Sequence, residues 1–211
     1  MKKERSEVKK IYDTLYAHKF SGRNYGRHNW GEGTYDLIKE LKVQSLIDVG
    51  CGRNDFVEWA RRQSSWVKPG RQQPASSKRG MRAIGVDISS PKADVICPAH
   101  NLPFKDKEFE YLTAFDVMEH LLPQEVDDVL DEFNRVASKG FLFHISYRKS
   151  RVEVFGKQLH LTVEPESWWI EKIEKFGTIN IFHGLTSQTD RKGNIRRYKN
   201  VKYIHCVLGK Q

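Results

Sequence analysis

Long apolar runs are missing from this 211-residue chain, and none approaches the ~20 residues that a membrane-spanning helix needs. The opening stretch, MKKERSEVKK, is basic, but no apolar segment follows it, so a secretory signal is not expected. Cysteine is scarce. Cys51, Cys97 and Cys206 stand far apart without metal-ligand spacing, which argues against a disulfide framework and predicts no metal site. A reducing, cytoplasmic setting is the expectation. Carboxylates are absent from two whole stretches. Residues 61–82 carry seven basic side chains and no acid, and residues 191–202 carry six more, whereas residues 106–132 hold ten of the 27 carboxylates. The net charge is +9. Segregated positive charge either forms a solvated face or attracts anionic partners such as nucleic acid, phosphorylated sugars or acidic glycans.

With 38% hydrophobic and 30% charged residues, the chain reads as a soluble globular protein with one main core. Apolar runs alternate with helical patterns, which predicts an α/β fold built on a mostly parallel sheet. Strands are expected at SLIDV (45–49), RAIGVD (82–87), ADVIC (93–97), YLTAFDV (111–117) and GFLFHIS (140–146). An antiparallel pair then follows, TINIFHG (178–184) and VKYIHCVLG (201–209), joined by a basic loop. Helices are expected at TYDLIKEL (34–41), with Thr34 as N-cap, and at DFVEWARRQ (55–63). Two more begin with proline, PQEVDDVLDEFNRVA (123–137) and PESWWIEKIEKF (165–176). Residues 61–82, rich in Ser, Gln, Pro, Gly and Arg, read as a long exposed insertion. Residues 1–33 read as an N-terminal leader or lid before a domain spanning 34–211.

The stretch DVGCGRNDF (48–56) passes from a strand into two glycines, a pattern that lets a backbone approach a nucleotide-like ligand closely. A dinucleotide loop requires a third glycine at position 55. Asp55 stands there, and a carboxylate repels a pyrophosphate. S-adenosylmethionine fits better, because it has no phosphate. Asp48 is placed to meet its cationic methionine end, and Asp87, ending the second strand, to hold its ribose hydroxyls.

DVGCG, then IGVDIS, then NLPFKDKEFEYLTAFDVMEHL, resembles the class I S-adenosylmethionine-dependent methyltransferases, in particular those acting on small molecules. The resemblance runs from about Thr34 to Ser146. It implies a seven-stranded Rossmann-like methyltransferase sheet, mostly parallel with an antiparallel last strand, and helices on both faces. It places Asp48, Gly50, Cys51 and Gly52 along the methionine part of the cofactor, Asp87 at the ribose and Ile88 beside the adenine. Ala99, His100 and Asn101 fall at the adenine edge, without the acid usual there. Asp116 and Val117 open the segment beneath the transferable methyl. The family's third glycine falls at Asn54, a residue type that tolerates left-handed backbone.

Two acceptor chemistries lack their residues. Methylation of an exocyclic base nitrogen uses an Asp/Asn-Pro-Pro-aromatic stretch where this chain has FDVMEH. Methylation at cytosine carbon 5 uses a Pro-Cys pair, and only the reversed Cys97-Pro98 is present. An oxygen or a simple nitrogen remains. The segment LHLTVEPESWWIEKIEKFG resembles, over a short stretch, methyltransferases linked to sugar modification, which makes Trp168 a candidate acceptor platform. His160, His120 and His144 are the candidate bases, since histidine titrates near neutrality. In the N-terminal segment, Tyr25, Arg27, His28 and Trp30 are candidate acceptor contacts of a lid. Three readings stay open: a methyltransferase for a small or saccharide-like acceptor, an RNA or DNA methyltransferase using the two basic segments, and a non-catalytic S-adenosylmethionine binder.

Overall fold

The computed structural model describes residues 2–17, 30–63, 81–189 and 195–209. Among the described side chains of helix α1 (Lys2–Ala17), Ile11 and Leu15, one turn apart, are the buried ones, while Lys9 and Asp13 pair on its solvent side at 2.8 Å. After a 3₁₀ turn at Trp30–Thr34 come α2 (Tyr35–Glu40), β1 (Ser45–Val49) and α3 (Asp55–Gln63). Next are β2 (Arg82–Asp87), β3 (Val95–Ile96), β4 (Phe109–Phe115), α4 (Val126–Val136) and β5 (Ala137–His144). A small hairpin of β6 (Glu153–Val154) and β7 (Lys157–Gln158) precedes α5 (Glu166–Ile173), β8 (Gly177–Thr189) and β9 (Ile195–Leu208).

Seven strands form one sheet in the order β3-β2-β1-β4-β5-β9-β8. The first five are parallel, β9 runs antiparallel to β5, and β8 runs antiparallel to β9. Strand alternation splits the core in two. Ile47, Leu112 and Phe141 face the α4 and α5 side, with Phe133 and Trp169. Leu46, Tyr111 and Leu142 face the α2 and α3 side, with Ile38 and Val57. Helices therefore cover both faces, as expected. The chain reverses its direction of travel between β1 and β4, and the crevice beyond their carboxyl ends is where open α/β sheets bind ligands.

Several expected boundaries move. The third strand shrinks to two residues, and the fourth spans Phe109–Phe115, leaving Asp116 and Val117 beyond its end. Asp116 takes a left-handed φ of 54°, which breaks the strand there. The helix expected from Pro123 opens as a 3₁₀ turn, Pro123–Glu125, before α4 proper, and Ala137 already belongs to β5. Thr34 does precede α2, but its hydroxyl donates back to the Gly31 carbonyl at 2.6 Å rather than capping the helix. The second basic segment is not all loop, since Ile195 onward is strand β9. Residues 64–80, most of the first basic segment, lie outside the described residues, as do Tyr25, Arg27 and His28. Among the described residues no helix is long and apolar enough to cross a membrane.

Candidate functional site

The loop after β1 turns on three left-handed residues: Gly50 at φ 73°, Gly52 at 56° and Asn54 at 67°. A Cβ on Gly50 would overlap the Val117 side chain, so glycine is required both by conformation and by close approach. Asn54 adopts the backbone expected of a third glycine, and its side chain does more. Its Oδ1 covers Gly85 of β2, and its side chain hydrogen-bonds Asp94, which also accepts the Gly85 amide at 2.7 Å and Arg61. The substitution ties the loop to the neighbouring strand. Asp55 is exposed in the first turn of α3, where the helix dipole favours an acid.

Asp87 ends β2 as expected and is 5% exposed. Its Oδ1 accepts the amides of Ser89 and Ser90, both at 2.9 Å. Its Oδ2 accepts the Gly52 amide at 3.1 Å and the Tyr16 hydroxyl, from α1, at 3.0 Å. Ile88 is half-buried beside it. Asp48 lies deeper. Burial and the Asp87 charge push its carboxyl up to about 7, although the Thr113 hydroxyl donates to it at 2.6 Å and opposes the rise. Cys51 is buried, and burial raises its thiol out of the reactive range.

At the edge expected for adenine, Ala99 packs against the core and Asn101 is exposed. His100 contacts the Arg5 guanidinium at 3.1 Å, and burial together with that charge lowers its pKa. Arg5 also pairs with the buried Glu125. Helix α1, whose contacts no sequence signal announces, thus runs across the crevice. It touches Asp87 through Tyr16, Ser89 through Asp13, His120 through Tyr12 with ring centres 6.0 Å apart, and Lys157 through Glu7.

Beyond β4 and β5 the three candidate histidines separate into two groups. His144, the last residue of β5, bonds Asp116 between Nδ1 and Oδ1 at 2.7 Å. His120 and His160 face one another edge to face, 4.8 Å apart, with Glu119 beside them. Burial, with His160 second, lowers His120 to about 4. Trp168 is half-buried against Trp169 and beneath Lys172, and Trp169 is a core residue. Trp30 opens the 3₁₀ turn before α2.

The pieces suit S-adenosylmethionine. A glycine cradle and two acids sit at one crevice, and among the described residues the side chain that donates to Asp87 is a tyrosine hydroxyl. Residues 17–187 match the profile of a family described as a methyltransferase domain. No curated protein sequence matches the chain. Among solved structures, a protein from Pyrococcus horikoshii OT3 is 16% identical with a TM-score of 0.56, over 85% of this chain and 89% of that one. The 1,6-didemethyltoxoflavin-N1-methyltransferase of Burkholderia thailandensis, solved with bound 1,6-didemethyltoxoflavin and S-adenosylhomocysteine, is 14% identical with a TM-score of 0.57, over 98% of this chain and 90% of that one. Magnesium protoporphyrin IX methyltransferase of Synechocystis PCC 6803, solved with S-adenosylmethionine, is 14% identical with a TM-score of 0.50, over 83% and 76%. At these identities the likeness shows the fold.

Proposed function

Because this chain belongs to the S-adenosylmethionine-dependent methyltransferases, we propose that it methylates an oxygen or nitrogen of a small-molecule or saccharide-like acceptor. The observation that carries this reading is the roof. Helix α1 spans the crevice from Asp87 to Lys157, and a covered site favours an acceptor small enough to be enclosed over a polymer lying in an open groove. When bound, S-adenosylmethionine supplies a methyl group already activated on a sulfonium, so the protein's work is positioning and proton removal.

Asp48 and the Gly50–Gly52 turn hold the methionine end, Asp87 the ribose, and Ile88, Ala99, His100 and Asn101 line the adenine side. Val117, packed on Gly50, closes the floor beneath the reacting carbon. His144 takes the acceptor proton, its ring held by Asp116 as a carboxylate holds a catalytic imidazole. Trp168 offers an aromatic face on the acceptor side. Free thiols at all three cysteines suit a reducing, cytoplasmic setting.

The test is transfer of labelled methyl from S-adenosylmethionine to pooled sugars, phenols and amines, beside calorimetry with S-adenosylhomocysteine. Label should move to a small acceptor, and Asp87→Ala should weaken S-adenosylhomocysteine at least tenfold, about 1.4 kcal/mol. Transfer to oligonucleotides alone, with affinity falling steeply in salt, would assign the basic segments the leading role instead.

A further inference from the structure

We propose that Glu119, His120 and His160 form a binding site for one divalent transition cation at the floor of the crevice. Their donor atoms all lie within 4.8 Å of one another, and small side-chain rotations bring them to the ~3.4 Å spacing of ligands around a tetrahedral ion. Both rings are held in one orientation. His120 Nδ1 bonds the Leu159 carbonyl at 2.9 Å, and His160 Nδ1 bonds the Arg148 carbonyl. A carbonyl can only accept, so each Nδ1 carries the proton and each Nε2 keeps its lone pair. That is the outer-sphere arrangement of a metal-ligating histidine.

Glu119 supplies the independent observation. It is 0% exposed, its Oε1 accepts the Ser146 amide at 3.1 Å, and its Oε2 has no hydrogen-bond partner among the described residues. The Asp116 carboxyl lies near enough to repel it, and to hydrogen-bond it once the pair shares a proton. A buried carboxylate beside a second carboxylate needs either that proton or a cation, and two imidazole lone pairs on the same spot favour the cation.

Packing alone does not account for the cluster. The segment carrying His160 is already pinned by Leu161 and Thr162 amides on the Glu119 carbonyl, at 2.8 and 3.0 Å, and by the Thr162 hydroxyl on the Leu121 carbonyl at 2.7 Å. None of these bonds uses either imidazole or Oε2. Two imidazoles and one carboxylate suit the ions from manganese to zinc and leave coordination positions open. The site follows β4 directly, so an open position can take an oxygen of the acceptor and fix it beside the methyl donor. This departs from the expectation of no metal site, and it removes His120 and His160 as bases, since one lone pair cannot serve both roles.

Titrating chelator-treated full-length protein with Co²⁺, read by its visible d–d absorption, tests the site without any acceptor. One equivalent should bind with saturable bands that Zn²⁺ displaces. His160→Gln, at the most accessible ligand, should weaken Co²⁺ at least tenfold while S-adenosylhomocysteine affinity stays within twofold. Glu119→Gln should do the same, provided it folds. Absence of saturable Co²⁺ binding, or wild-type Co²⁺ affinity in His160→Gln, overturns the proposal. Either outcome leaves the methyltransferase reading to its own assay.

Discussion

Burial lifts the Asp48 carboxyl to about 7, whereas in the unfolded chain it titrates near 3.8. Between those values the unfolded chain has released a proton that the folded one keeps. Stability therefore falls as pH rises from about 4 towards 7, and levels off above. Asp48→Asn removes this slope. Urea unfolding should show the variant gaining on the wild type as pH rises from 4.5 to 7.5, and an unchanged difference across that range would refute the assignment. Asn54 offers a second test. Its φ of 67° suits glycine, and its side chain holds Asp94. Asn54→Gly loses the tie without strain, whereas Asn54→Ala loses it and keeps a Cβ in a left-handed conformation, which costs about 1–2 kcal/mol relative to glycine. Denaturant midpoints should rank wild type above Gly and Gly above Ala. An alanine variant as stable as the glycine one would mean that this left-handed position places no premium on glycine or asparagine.

Helix α1 shows what an element adds to a site. Each carboxylate oxygen offers about two acceptor positions, and Asp87 has all four filled, three by backbone amides and one by Tyr16. The amides belong to the fold, so under the proposed ribose role of Asp87 a sugar hydroxyl would have to displace the phenol. Tyr16→Phe should therefore tighten S-adenosylhomocysteine several-fold by calorimetry, and a weaker complex would show that phenol and ribose share the acid. The helix itself is hard to read in sequence because KKERSEVKK presents charge on every side and, among its described side chains, only Ile11 and Leu15 are buried. Strands β1, β2, β4 and β5 are legible because a short apolar run between helical periods fits a buried strand and little else. So is the glycine turn, whose backbone demands specific residue types. The hairpin β6–β7 is too short to leave a pattern. Glu119 and His160 are distant in sequence, and only the pinning of the segment after β7 onto the segment after β4 brings them together. Val117 reads as strand because its apolar character continues the run, while the left-handed Asp116 before it has already ended the pairing.

At the scale of the whole molecule, the sheet separates two ends with different chemistry. The crevice residues Gly50, Asp87, Asp116 and His144 all lie at or just past the carboxyl ends of parallel strands. Helix α3 carries the chain back to the opposite end, where Arg61 bonds the Ala83 carbonyl at the start of β2 and the Arg82 amide bonds Gln44. The basic insertion leaves and re-enters there, through Gln63 and Met81. Strand β2 rises ~3.3 Å per residue, so its six residues hold that entry point roughly 20 Å from Asp87. The two residues that anchor the insertion therefore stand at the end of the sheet away from Asp87. Replacing residues 64–80 with a four-residue Gly-Ser linker should leave S-adenosylhomocysteine affinity within twofold. It should raise stability by about 1 kcal/mol, because a shorter loop costs less to close. Oligonucleotide binding at low salt, where the wild type shows it, should weaken in the same variant. A tenfold loss of S-adenosylhomocysteine affinity would place the insertion at the crevice and break the separation of the two ends.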